Sequence, residues 1–176
     1  MIYVVDLDDT LVSSTSLNND AYNFALEQYS FDRIITNERI TRAKLDFLDN
    51  SFLKDIIQLK QHYFSQDWLP CRVVLNKLLI DKLLLNKKAN CYLWTKADKD
   101  RSFKIIDYCK LSNYFNDIIF DDKSSFETSI QKLKQLTNSN QFIIYENNKN
   151  FFHNQNCKIV DTIKTDLFDI NGYLIR

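Results

Sequence analysis

Glycine and proline are nearly missing from this sequence, with one of each in 176 residues. Globular chains usually carry about 7% and about 5%, so tight turns here fall to Asn and Asp, which tolerate left-handed backbone best after Gly. Histidine is scarce too: there are only His62 and His153. The four cysteines, Cys71, Cys91, Cys109 and Cys157, are far apart and form no CxxC pair. That argues against a zinc site, and the thiols read as reduced and mostly buried. No apolar run approaches transmembrane length and the N-terminus has no signal-peptide h-region, so the expectation is a soluble cytoplasmic protein. Nor does one charge dominate. The 23 basic and 23 acidic residues cancel, leaving no overall field to draw the chain to a membrane surface or to nucleic acid. A local basic patch stays open.

What the chain has is material for a core: 45% hydrophobic residues against 26% charged, unlike a disordered segment. The length suits one domain, or one with a small insertion. Short apolar runs alternate with helical periodicity. Ile2–Asp6 does not alternate and reads as a strand buried on both faces. Helical patterns follow at Ala21–Tyr29 and across Ile40–Phe64, the latter as two helices with a break near Asp49–Ser51, before Pro70 interrupts. Val73–Leu85 reads as an amphipathic helix. Strands are expected at Cys91–Thr95, at "DIIF" (117–120), at "QFIIYE" (141–146) and at "CKIVDT" (157–162), and "INGYLIR" could close the chain with a turn and a short strand. Helices fill the intervals, about Asp98–Leu111 and Ser125–Leu136.

Strands separated by helices imply parallel pairing through right-handed crossovers, a Rossmann-like α/β sheet with helices on both faces. Residues 14–69 contain no strand and are too long for one crossover. They read as an inserted all-helical unit, with 1–13 and 70–176 forming the α/β core. In such sheets ligands sit beyond the carboxyl ends of the strands. Asp6, Thr95 and Glu146 all fall at such ends.

The first strand runs straight into "DLDDT", Asp6 to Thr10. Carboxylates this close raise each other's pKa unless something positive sits among them, so the stretch looks like a site awaiting a cation. A receiver domain also has an acidic pair after its first strand, but it needs another Asp at a strand end about forty residues on. Here that region, around Asp46 and Asp49, is helical.

DxDxT at a strand end resembles the first motif of the haloacid dehalogenase-like superfamily of phosphohydrolases, and the resemblance continues in order. "NCYLWT" is similar to the second motif, a strand ending in Ser or Thr, which is Thr95 here. "KSSFETSIQKL" resembles the third, a Lys opening a helix, and points to Lys123. "FIIYENN" stands where an acidic pair follows a strand, and points to Glu146. The resemblance implies a Mg²⁺-dependent phosphatase acting on a small soluble phosphomonoester, with a nucleotide, a sugar phosphate or a nucleic-acid terminal phosphate all open. Asp6 would be the nucleophile that forms an aspartyl-phosphate. Asp8 would be the general acid and base. Asp6, the backbone carbonyl of Asp8 and Glu146 would hold the metal, while Thr95 and Lys123 would bind phosphoryl oxygens. Asp8 also argues against dehalogenation, since a departing halide needs no proton. The inserted helices would be the cap that selects substrate and excludes water.

Plainer readings stand beside these. The aspartates could form a polar turn, Thr95 a strand-end hydroxyl, Lys123 a solvated helix start with Lys96 as rival cation, and Glu146 a surface residue. Arg39, Arg42 and Lys44 fit a solvated helical face as well as a substrate contact. Glu146-Asn147 departs from the acidic pair of the family, and a non-catalytic binding or regulatory module is the alternative it raises.

Overall fold

The computed structural model describes residues 2–64, 66, 73–85 and 90–147. The expected strand at 157–162, the closing segment, Pro70, Cys71 and His153 lie outside them. The chain divides into two compact units, Met1–Ser13 with Val74–Arg176, and Ser14–Val73.

The first unit is built on four parallel strands. β1 (Ile2–Val5), β4 (Asn90–Thr95), β5 (Asp117–Phe120) and β6 (Phe142–Tyr145) lie in the order β5-β4-β1-β6. All four residues of β1 are buried, as a strand flanked on both sides must be. Burying each such side chain contributes roughly 1.5–3 kcal/mol, which is why an unbroken apolar run, rather than an alternating one, takes the centre. Successive side chains point to opposite faces. Ile2 and Val4 join Trp94, Ile119 and Ile144 on one face, where Leu133 of α5 (Phe126–Thr137) packs. Tyr3 lies on the other face, stacked on Tyr145, and Lys82 of α3 (Lys77–Leu85) covers the Tyr145 ring at 5.3 Å. Helices therefore cover both faces. The crossover from β4 to β5 is α4 (Lys99–Tyr108), and α5 leads back to β6 on the far side of β1. The winding reverses between β1 and β6.

The Val73–Leu85 segment is not one helix. Val74–Leu75 (β3) pairs antiparallel with Val12–Ser13 (β2), and the helix begins at Lys77. Two residues are too few to show alternation, so "VVL" fits a helix and a strand equally. The true start is marked by buried Asn76, whose Oδ1 accepts the Leu79 N–H at 3.0 Å.

The second unit holds α1 (Thr15–Gln28), a 3₁₀ turn at Arg42–Leu45 and α2 (Asn50–Phe64). The expected pair of helices over Ile40–Phe64 is thus one turn and one helix. Only four residues separate Thr41 from Asp46, and i→i+3 bonds (Lys44 N–H to the Thr41 carbonyl, Leu48 N–H to that of Leu45) suffice to bury Leu45 and Leu48. α1 begins six residues before its apolar pattern, because its hidden face is polar. Asn19 accepts the Ile40 N–H and donates to the Glu38 carbonyl (both 2.8 Å), and Asn23 pairs with Ile34 in the same two-way manner. Asn18 adds a bond to the Ile40 carbonyl at 2.9 Å. Three buried amides thereby satisfy a loop that lacks its own pairing.

Left-handed turns do pass to residues other than Gly, but more widely than Asn and Asp. Asp9, Ser30, Lys110, Lys123 and Asn138 all have positive φ. No helix among the described residues is long and apolar enough to cross a membrane.

Candidate active site

Beyond Val5 the chain stays in the sheet for one more bond, from the Asp6 N–H to the Tyr145 carbonyl (2.9 Å). It then coils back. The N–H groups of Leu11 and Val12 bond the Leu7 carbonyl, and Asp9, left-handed at φ 59°, donates its N–H to the Val12 carbonyl. Leu7 and Leu11 are fully buried and anchor the loop. Asn76, just ahead of α3, clamps it, donating Nδ2 to the Thr10 carbonyl (3.0 Å) and its backbone N–H to that of Leu11 (2.9 Å). The Thr10 hydroxyl is buried with no hydrogen-bond partner among the described residues.

Asp6 and Glu146 follow neighbouring strands, β1 and β6, at the reversal of winding. Lys123 reaches between them: its Nζ lies 2.5 Å from Asp6 Oδ1 and 2.5 Å from Glu146 Oε2. The rival Lys96 is exposed. All three side chains of the trio are less than a tenth exposed, so the charges act at low dielectric. One cation faces two carboxylates. Burial chiefly, opposed by Lys123 and reinforced by Glu146 and Asp8, pushes the Asp6 carboxyl up to about 7. Burial alone would depress the Lys123 ammonium, but Asp6 and Glu146 outweigh it and hold its pKa above the usual value.

Lys123 is left-handed at φ 51°, a conformation that costs about 1 kcal/mol or more outside Gly. The surroundings hold it there. Its N–H points to Asp121 Oδ1 (3.4 Å), its ammonium lies over the Trp94 ring, and the Trp94 indole donates to Asp121 Oδ2 (3.0 Å). Bonds from Ser129, Trp94 and the Lys123 backbone overcome burial and keep Asp121 below the usual carboxylate range. Thr95 ends β4, the other neighbour of β1, and its hydroxyl accepts the Ala97 N–H at 3.1 Å. It shares the strand-end edge with Asp6.

Asp8 has a partner that the sequence reading did not single out. Arg101 of α4 grips both of its oxygens: Nη1 lies 3.0 Å from Oδ1, and Nη2 contacts Oδ2. Asp98 caps α4 through the Arg101 N–H (3.1 Å), placing Arg101 in the first helical turn. In the sequence its setting, a capping Asp three residues ahead of an Arg, is that of any charged first helical turn.

No family model matches the sequence, and no curated protein matches it. Solved structures do. A haloacid dehalogenase-like family hydrolase from Streptococcus pneumoniae is 17% identical with a TM-score of 0.70, over 84% of this chain and 76% of that one. A predicted phosphoglycolate phosphatase from Haemophilus somnus is 15% identical with a TM-score of 0.69, over 90% and 83%. A predicted phosphatase from Clostridium acetobutylicum is 16% identical with a TM-score of 0.65, over 82% and 74%. The fold is haloacid dehalogenase-like.

In that haloacid dehalogenase-like frame, the donor set can be tested against a metal. Among the described residues no three His, Cys, Asp or Glu side chains converge as a ready-made cluster. Asp6 and Glu146 nevertheless both touch one ammonium nitrogen, so their oxygens lie no further apart than twice 2.5 Å. They present two carboxylates to the single ammonium of Lys123. Two carboxylates, with the Asp8 backbone carbonyl two residues along the chain, offer oxygen donors only, the kind that a hard divalent cation takes together with waters. The residues fit such an ion. Cys91 and Cys109 play no such part: both are free, and burial pushes their thiols up to about 12 and about 11.

Proposed function

We propose that this protein is a Mg²⁺-dependent phosphohydrolase that cleaves a small soluble phosphomonoester through an aspartyl-phosphate on Asp6. The observation that carries the reading is Lys123 bridging Asp6 and Glu146 at the ends of adjacent parallel strands. Bound between Asp6, Glu146 and the Asp8 carbonyl, Mg²⁺ would supply the positive charge that lets a carboxylate approach a phosphate dianion.

Asp6 is the nucleophile, its carboxylate steadied by Lys123 at Oδ1. Lys123 orients that carboxylate and offers its ammonium to the phosphoryl oxygens, where transition-state charge collects. Thr95 adds a hydroxyl donor from the next strand. Asp8 gives a proton to the leaving oxygen and later takes one from the attacking water. The Ser14–Val73 unit acts as the cap that selects the substrate. Neighbours of this fold named as phosphatases support a small phosphorylated substrate, and nucleotides and sugar phosphates head the panel to screen.

Hydrolysis of an aryl phosphate in Mg²⁺, lost on chelation, tests the activity. Asp6→Asn should retain less than ~1% of turnover, since the amide keeps the shape but cannot attack. A beryllofluoride adduct should form on Asp6. Glu146-Asn147, with one acidic residue where the family has two, favours a second reading as a non-catalytic binding module. Phosphate binding without turnover on any ester would select it.

A further inference from the structure

The pair between Arg101 and Asp8 sits badly with the chemistry just described. An acid-base carboxylate must present an oxygen to the leaving group, yet both Asp8 oxygens accept from the Arg101 guanidinium. The pair is also well sheltered, with 8% of the Arg101 side chain and 19% of that of Asp8 exposed. Arg101 cannot withdraw its charge, because a guanidinium stays protonated in proteins. Nor can its backbone move aside. Its N–H is tied to Asp98 Oδ1, and the next residue, Ser102, bonds the Asp98 carbonyl through both its N–H (3.0 Å) and its hydroxyl (2.7 Å).

Breaking a sheltered ion pair without replacing the lost partner is costly. Exchange for another anion of matching geometry avoids that. A phosphate presents two oxygens to the same planar fork as a carboxylate does, and as a dianion it offers more charge. We propose that Arg101 is a phosphate-binding residue whose guanidinium passes from Asp8 to the phosphate of the substrate, so that the arriving substrate itself releases Asp8. The inference rests on the phosphohydrolase reading of this site and adds a fourth phosphate contact beyond Asp6, Thr95 and Lys123. It makes Asp8 and phosphate competitors for one cation.

The test is a double-mutant cycle on the binding of inorganic phosphate, measured by calorimetry on the full chain. Asp8→Asn removes the competitor and should tighten phosphate about tenfold, while Arg101→Met should weaken it about tenfold, the worth of one charge-assisted bidentate contact. In the double variant the gain from Asp8→Asn should shrink to the small effect of losing a like charge. A cycle in which Asp8→Asn tightens binding equally with and without Arg101 overturns the proposal, as does an Arg101→Met protein that binds phosphate like wild type. Arg101→Lys keeps the charge without the fork and should fall between, which preserves the test should Arg101→Met not fold. A wild type that binds no phosphate also overturns it. Turnover of an aryl phosphate separates the two claims: hydrolysis with an additive cycle refutes the exchange alone, and a coupled cycle without hydrolysis of any ester refutes the phosphohydrolase alone.

Discussion

The Lys123 ammonium lies 4.6 Å from the centroid of the Trp94 ring. The same indole donates to Asp121, whose other oxygen faces the Lys123 backbone N–H. Trp94 thus steadies the lysine twice, through its face at the side chain and through its edge at the backbone. A buried aromatic face attracts a desolvated cation by about 2 kcal/mol, comparable to the cost of holding a non-glycine residue at positive φ.

Trp94→Phe keeps the face and deletes the indole donor. It should cost about 1 kcal/mol in urea unfolding, since Asp121 retains its other donors. Trp94→Ala also loses a wholly buried ring and should cost about 3–5 kcal/mol. Phosphate affinity should fall with Trp94→Ala and hold nearly constant with Trp94→Phe. Equal losses from both would show that the ring face contributes nothing to placing Lys123.

Protonation of Asp6 sets a pH dependence in the metal-free protein. Its carboxyl is raised from 3.8 to about 7 in the fold, so between those values the folded state holds a proton that the unfolded chain has lost. Stability must then fall as pH rises across that window, by at most about 1.4 kcal/mol per pH unit. Lys123, held above its usual value, contributes stability that is present throughout this range and lost only in strong alkali. Urea midpoints in chelator from pH 4.5 to 8 should show the decline in wild type and a flatter profile in Asp6→Asn. An identical slope in both would assign the proton elsewhere.

Much of this architecture is legible in residue order alone. "IYVV" is apolar at every position because β1 is covered on both sides, and "DIIF" is bounded by charge because β5 begins exposed. The strand-end carboxylates are legible for a chemical reason: nothing apolar explains three aspartates after a buried strand. Arg101 was not legible, because an arginine in a charged first turn looks like any solvated helix face until the fold brings residue 8 to residue 101. Asn18, Asn19 and Asn23 hid the start of α1, since hydrophobic periodicity sees no core in an amide that is buried through backbone bonds. The unusual backbone of Lys123 carried no signal either. A chain with one glycine uses lysine where another would use glycine.

Glu146 should set the metal requirement. It is 2% exposed, and with Asp6 it is one of the two carboxylates on the Lys123 ammonium. Glu146→Gln removes half of the carboxylate charge and should raise the Mg²⁺ concentration for half-maximal turnover severalfold or more, whereas Asn147→Ala should matter less. A side chain one methylene longer than Asp suits a larger ion, so Mn²⁺ should support activity at lower concentration than Mg²⁺, which insists on about 2.0–2.1 Å. An unchanged metal dependence in Glu146→Gln would mean that another carboxylate completes the site.

Lys123 is the residue whose loss should be repaired by metal. Lys123→Met preserves the length and apolar stem of the side chain but strips the only cation that touches both Asp6 and Glu146 among the described contacts. Two buried carboxylates would then lack the ammonium between them, and removing one partner from a buried pair typically costs about 3–5 kcal/mol. That loss should appear in full at pH 8 with chelator. It should shrink toward pH 5, where Asp6, with its raised pKa, takes up a proton. Millimolar Mg²⁺ should restore stability more in Lys123→Met than in wild type, because the divalent ion replaces the positive charge that the lysine supplied. Turnover should stay low even then, since the phosphoryl oxygens still lack the ammonium. Lys123→Gly, which relieves the left-handed backbone, separates strain from charge: it should lose nearly as much at pH 8 and recover in the same way. A Lys123→Met protein as stable as wild type at pH 8 in chelator would show that the ammonium does not balance these carboxylates.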